Sequence, residues 1–199
     1  MRILLVGAHG TLGRAVAAEL SARHQVIRAG RTDSDLRLDL TDPDSVQRAL
    51  DSAGPLDAIV SGAGNVHFGP LTEMTDALYG IGLRDRLVCQ VNLVLAGRAV
   101  LADGGSFTPV SGVRADEPIR NGSSASMVNG ALEALVRAAA VELPRGLRID
   151  AVSPGVLQES MPGYAPYCRG FEPVPGARAA LAFSRSVEGA DTGKIYRVH

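Results

Sequence analysis

Three glycines at three-residue spacing, Gly7, Gly10 and Gly13, follow directly on the apolar run Ile3-Leu4-Leu5-Val6 and open a stretch of helical character. Glycine here permits a tight turn, close approach of the backbone to a bound group and close packing of helix on strand. The first amides of such a helix have no partner inside it and carry partial positive charge, so they suit phosphate oxygens. The pattern therefore points to a dinucleotide pyrophosphate cradled by Gly7, His9, Gly10, Thr11, Leu12 and Gly13.

The rest of the chain alternates short strand-like runs with longer helical stretches, which predicts a parallel sheet with helices on both faces. Strands are expected over 2–6, 25–29, 36–38, 56–60, 105–110, 147–152 and 194–198. Helices are expected over 11–23, 42–52, 76–101, 123–142 and 175–186, with a covering loop over 154–175. Asp42-Pro43 sets one helix start, as aspartate caps well and proline fits the first helical position. The expectation is one domain over 1–199: a doubly wound α/β fold of Rossmann type with about seven strands.

Composition narrows the partners. The net charge is −1 and the basic residues are scattered, which argues against nucleic acid, because phosphate binding needs a concentrated positive field. No apolar run approaches the roughly 18–20 residues that cross a bilayer. The two cysteines, Cys89 and Cys168, lie far apart without metal-like spacing. Free thiols in a reducing, cytoplasmic setting are expected, and no metal site. Lys194 is the only lysine among 20 basic residues.

The end of the second strand reads Gly30-Arg31-Thr32-Asp33. An arginine there accommodates a ribose 2′-phosphate, whereas a carboxylate grips the 2′-hydroxyl. Arg31, with Thr32 as a further donor, favours NADP(H) over NAD(H).

Over nearly its whole length the chain then resembles the short-chain dehydrogenase/reductase family. Asp39-Leu40 is similar to the family's adenine-contacting pair, and Ser61-Gly62-Ala63-Gly64 to its Asn-Asn-Ala-Gly motif beside the cofactor. Val91-Asn92-Leu93 is similar to the segment whose asparagine shapes the proton relay. Ser111 ends the fifth strand where the family keeps its catalytic serine. Val152-Ser153-Pro154-Gly155 resembles the sixth-strand signature, which puts Pro154 and Gly155 at the cofactor. Thr192-Gly193 matches the turn before the last strand. The resemblance implies a small-molecule carbonyl or hydroxyl substrate and a homodimer or homotetramer.

One departure is large. The family's general acid is a tyrosine with a lysine four residues later, and here those positions hold Ala125 and Asn129. A one-residue slide gives Ser124 and Val128, and Lys194 has Ala190 four residues before it. Hydride reduction of a carbonyl needs a proton donor or preorganised donors at the developing alkoxide. Ser111, Asn92 and the loop tyrosines Tyr164 and Tyr167 are the candidates. His67 stands near the expected mouth. Arg114, Asp116 and Glu117, just after Ser111, suit either a charged substrate or a solvated loop, and Arg86 either supplies positive charge to the site or, as is expected, forms a surface ion pair. Two readings stay open: an atypical NADP(H)-dependent oxidoreductase, and a nucleotide-binding protein without turnover that serves as sensor or assembly partner or uses the pocket for non-redox chemistry. The stripe Leu132, Leu135, Val136 and Ala139 suits either a subunit interface or packing on the sheet.

Overall fold

A computed structural model describes residues 1–199. Its strands are β1 (Arg2–Val6), β2 (Gln25–Gly30), β3 (Leu36–Arg37), β4 (Leu56–Ser61), β5 (Leu101–Pro109), β6 (Arg148–Ile149), β7 (Ala151–Pro154) and β8 (Ile195–Val198). The helices are α1 (Thr11–Ser21), α2 (Pro43–Ala53), α3 (Asp76–Gly82), α4 (Cys89–Gly97), α5 (Ser123–Glu142), α6 (Met161–Tyr164) and α7 (Gly176–Glu188). Six strands form one parallel sheet in the order β3-β2-β1-β4-β5-β6, and β7 pairs with β8 in parallel. A bridge between Val110 and Val152 joins the pair to the end of β5.

Alternation along β1 explains the two-faced core. Ile3 and Leu5 join Val16, Leu20 and Phe183 on the α1/α7 side, while Leu4 and Val6 join Leu50, Leu93 and Val136 on the α2/α4/α5 side. A strand whose two sets of side chains both meet helices is apolar throughout, as a parallel sheet buried on both faces requires. Leu132 and Val136 of the stripe are fully buried within the chain itself.

Two expected elements are broken. The helix expected over 76–101 ends at Gly97 and contains a π-helical turn over Leu83–Val88 between α3 and α4. Its last residue, Leu101, starts β5 instead. The strand expected over 147–152 is interrupted at Asp150, which is fully buried and accepts hydrogen bonds from the Lys194 amide (2.8 Å) and the Ser186 hydroxyl (3.2 Å). The carboxyl thus ties β6, β8 and α7 where ladder pairing changes partners.

Burial raises the Asp150 pKa above the ordinary 3.8. A raised folded-state value means that protonation favours the fold: the contribution is full below the unfolded pKa and is lost as pH rises through the folded one. Asp150→Asn keeps the acceptor for Lys194 and holds the site neutral. Its melting temperature should therefore gain on wild type between pH 4 and pH 7, by about 2–4 °C for each kcal/mol of carboxylate desolvation removed. Parallel melting curves at both pH values would contradict this reading.

Candidate functional site

The C-terminal ends of the parallel strands open onto two cavities on one side of the sheet. In an open α/β sheet ligands bind outside these ends, where strand order reverses, and here that is between β1 and β4. The first cavity, about 180 Å³, is lined by Gly7, Gly30, Arg31, Asp39, Leu40 and Ala63, among others. The second, about 370 Å³, is lined by Leu12, Gly62, Ser111, Pro154, Gly155 and Tyr164, among others. Gly64 and Asn65 line both, so the two meet there.

The glycine turn between them has the shape that a phosphate needs. Gly7 has φ +80°, outside the range that side chains favour. A Cβ on Gly13 would lie 2.0 Å from the Gly7 carbonyl oxygen, so only glycine lets α1 sit this close to the end of β1. Gly10 precedes α1 without a side-chain cap, which leaves the helix's first amides to a ligand. His9, Gly10, Thr11 and Thr32 line neither cavity. The Asp39 carboxylate accepts from the Thr41 amide and hydroxyl, which hold its pKa low with help from Arg31.

In the second cavity the positions expected for the tyrosine–lysine pair, Ala125 and Asn129, both face the lining. Ser111 is buried and its hydroxyl donates to Glu133 at 3.0 Å, so its one proton is engaged within the protein. Glu133 is held in turn by Arg137 (3.3 Å) and Arg197 (3.4 Å). Asn92 lines neither cavity. Gln90, two residues earlier, is buried and donates to the Ser61 hydroxyl (2.9 Å) and the Ala63 carbonyl (3.1 Å), bracing the strand-four motif. Tyr164 lines the cavity and packs edge-on against Phe68, ring centres 5.8 Å apart. Tyr167 packs on Phe68 from outside, and His67 is not in the lining. Cys89 and Cys168 are free and buried; burial pushes the Cys89 thiol up to about 12, where it is inert.

The expectation of a surface ion pair for Arg86 fails. Arg86 lies in the π-helical turn and lines the cavity. It donates from Nε to Asn129 Oδ1 (3.1 Å), and from its terminal nitrogens to the Gly64 (3.3 Å) and Ser111 (2.6 Å) carbonyls. Burial pulls its pKa below the ordinary guanidinium value. The extra residue in a π turn rotates the side chains beyond it relative to an α-helix. An α-helical reading of the sequence therefore left Arg86 between the site and a surface ion pair, and favoured the surface. Asn129 was visible only as the wrong residue for a lysine.

The model of a family described as enoyl-(acyl carrier protein) reductase matches residues 7–194. L-xylulose reductase of Homo sapiens is 32% identical over 181 residues, covering 80% of this chain and 73% of that protein. The structure of protein lin1944 from Listeria innocua superposes with a TM-score of 0.98 at 47% identity, covering all of both chains. A small-chain dehydrogenase in complex with NADPH shares the fold, with a TM-score of 0.88 at 21% identity, covering 100% of this chain and 96% of that one.

Proposed function

Because this chain belongs to the short-chain dehydrogenase/reductase family, we propose that it is an NADP(H)-dependent oxidoreductase with an atypical active site, acting on the carbonyl or hydroxyl group of a small organic molecule. The observation that carries this reading is the pair of cavities meeting at Gly64 and Asn65. One has Arg31 and the Asp39-Leu40 pair for the adenosine end; the other has Ser111, Pro154, Gly155 and Tyr164 for the reactive end. The uncapped start of α1 suits the pyrophosphate.

When bound, the reduced nicotinamide supplies a hydride to the carbonyl carbon, which gains two electrons as the cofactor is oxidised. The chain's own residues orient the partners and handle the proton. Tyr164 brings the one phenol to the second cavity, and its hydroxyl has no hydrogen-bond partner within the chain. Cys168 is 2% exposed, with its sulfur accepting from Arg114, and the aliphatic hydroxyls of Ser111 and Ser160 are far weaker acids than a phenol. Tyr164 gives its proton to the substrate oxygen and recovers one from water. Ser111 accepts or orients beside it, its own proton remaining with Glu133.

Calorimetric titration tests the cofactor assignment. NADPH is expected to bind at least tenfold tighter than NADH, since a charge-assisted contact contributes about 1.5–3 kcal/mol. Arg31→Ala should erase most of the difference while leaving NADH affinity unchanged. NADH binding as tight as NADPH would overturn the assignment.

A second reading, a nucleotide sensor without turnover, is favoured by Ala125 and Asn129, which face the cavity where an acid–cation pair is expected. Tight NADPH binding without NADPH consumption on a panel of carbonyl compounds would decide for it.

A further inference from the structure

Two arginines, Arg86 and Arg114, line the second cavity, and no aspartate or glutamate does. The chain's ion pairs include neither of them. Arg114 is only 8% exposed; it donates to the Glu117 carbonyl (3.3 Å) and the Cys168 sulfur (3.4 Å), and lies 4.2 Å from the Phe171 ring centre. None of these partner groups is a carboxylate. Arg86 is likewise held only by two carbonyls and an amide oxygen. A guanidinium has five N–H donors, so each of the two keeps donors to spare.

A buried charge is costly unless a counter-charge meets it. Of the nearby carboxylates, Glu133 is committed to Ser111, Arg137 and Arg197, and Asp116 to Arg197 at 2.7 Å, while Asp85 and Glu117 form no ion pair with either arginine. A purely structural tie would be served by neutral donors to the same carbonyls. The cofactor's phosphates have their own place at the α1 start and Arg31, beyond the Gly64–Asn65 junction.

We propose that the cavity selects a substrate bearing an anionic group, a carboxylate or a phosphate, which the guanidinium forks of Arg86 and Arg114 receive. Planar guanidinium groups match the paired oxygens of either anion. The cavity's size, part of which the nicotinamide would occupy, suits a small oxoacid or phosphorylated ketone. This inference rests on the oxidoreductase reading for its substrate chemistry, but its binding test does not need turnover.

The test uses the whole chain saturated with NADP⁺ and titrates in oxamate, its neutral counterpart oxamide, and inorganic phosphate. Oxamate or phosphate is expected to bind at least tenfold tighter than oxamide, and the tighter of the two anions identifies the group. Arg86→Met and Arg114→Met should each weaken the anion about ten- to hundredfold, with NADP⁺ affinity unchanged in Arg114→Met. Equal affinity for oxamate, phosphate and oxamide in the wild-type complex overturns the proposal. That wild-type ratio and Arg114→Met decide the matter even if Arg86→Met, which unties Gly64, Ser111 and Asn129, fails to fold. Turnover separates the two readings: 2-oxobutanoate bound but never reduced would overturn the enzyme and leave the anion site standing. Reduction of 2-butanone or L-xylulose in preference to 2-oxobutanoate, with no anion preference in binding, would do the reverse.

Discussion

Gly13→Ala is expected to abolish measurable NADPH binding and to lower the melting temperature markedly. The added Cβ would stand 2.0 Å from the Gly7 oxygen, 2.8 Å from the Gly7 carbon and 2.9 Å from the Ala8 carbonyl carbon. All three atoms are backbone, so no side chain can swing aside. Either α1 moves off β1 or the turn opens. Overpacking of this kind costs about 1–3 kcal/mol, more where backbone must shift. Moving the α1 start by even an ångström also misplaces the amides that meet the pyrophosphate, so affinity should fall at least a hundredfold. Thermal melting with calorimetry on the same sample checks both effects. A variant with wild-type stability and affinity would show that the close packing of Gly13 on Gly7 has no part in nucleotide binding.

Tyr164→Phe carries the second large effect, on rate alone. The ring is retained, so the edge-on contact with Phe68 at 5.8 Å should survive. Only the hydroxyl at the cavity is lost. General acid catalysis contributes on the order of 10²–10⁴ in rate, and kcat should drop within that range while KM and NADPH affinity hold. Stopped-flow or steady-state NADPH oxidation with the best substrate measures it. A kcat within twofold of wild type would remove Tyr164 from the mechanism and leave water as the proton source. The Phe68–Tyr164–Tyr167 cluster would then be packing only.

The element order and the glycine turn at the end of β1 were legible because both rest on local chemistry. Gly7, Gly10 and Gly13 are required where backbone passes close to backbone, and Asp42-Pro43 starts α2 by capping: the Asp42 side chain accepts from the Asp44 amide at 3.0 Å. The β1 run is apolar at every position because helices cover both faces of the sheet. Arg31 and Asp39-Leu40 stand beside one another in the first cavity because strand ends in a parallel sheet converge on one edge. By contrast, the end of β6 and the division of the long helix were not legible. The break at Asp150 depends on Lys194 and Ser186, more than 30 residues away along the chain. The stripe on α5 left subunit contact and sheet packing equally open; both Leu132 and Val136 are buried within this chain, and Val136 joins the core cluster against the sheet.

The lining of the second cavity belongs to the tertiary structure. Sequence alone determined that a doubly wound sheet would form, that its first turn would suit a dinucleotide, and that the tyrosine–lysine pair would be missing from α5. Folding alone decided that Arg86, a surface residue by its sequence neighbours, would turn inward through the π-helical turn at Leu83–Val88 and join Arg114 without a carboxylate partner. It also decided that the Ser111 proton would go to Glu133. The physical reason is range. Turns, caps and strand alternation are set by neighbours in the chain, whereas the charge balance of a cavity depends on which carboxylates the fold brings near it, and here it brings none into the lining.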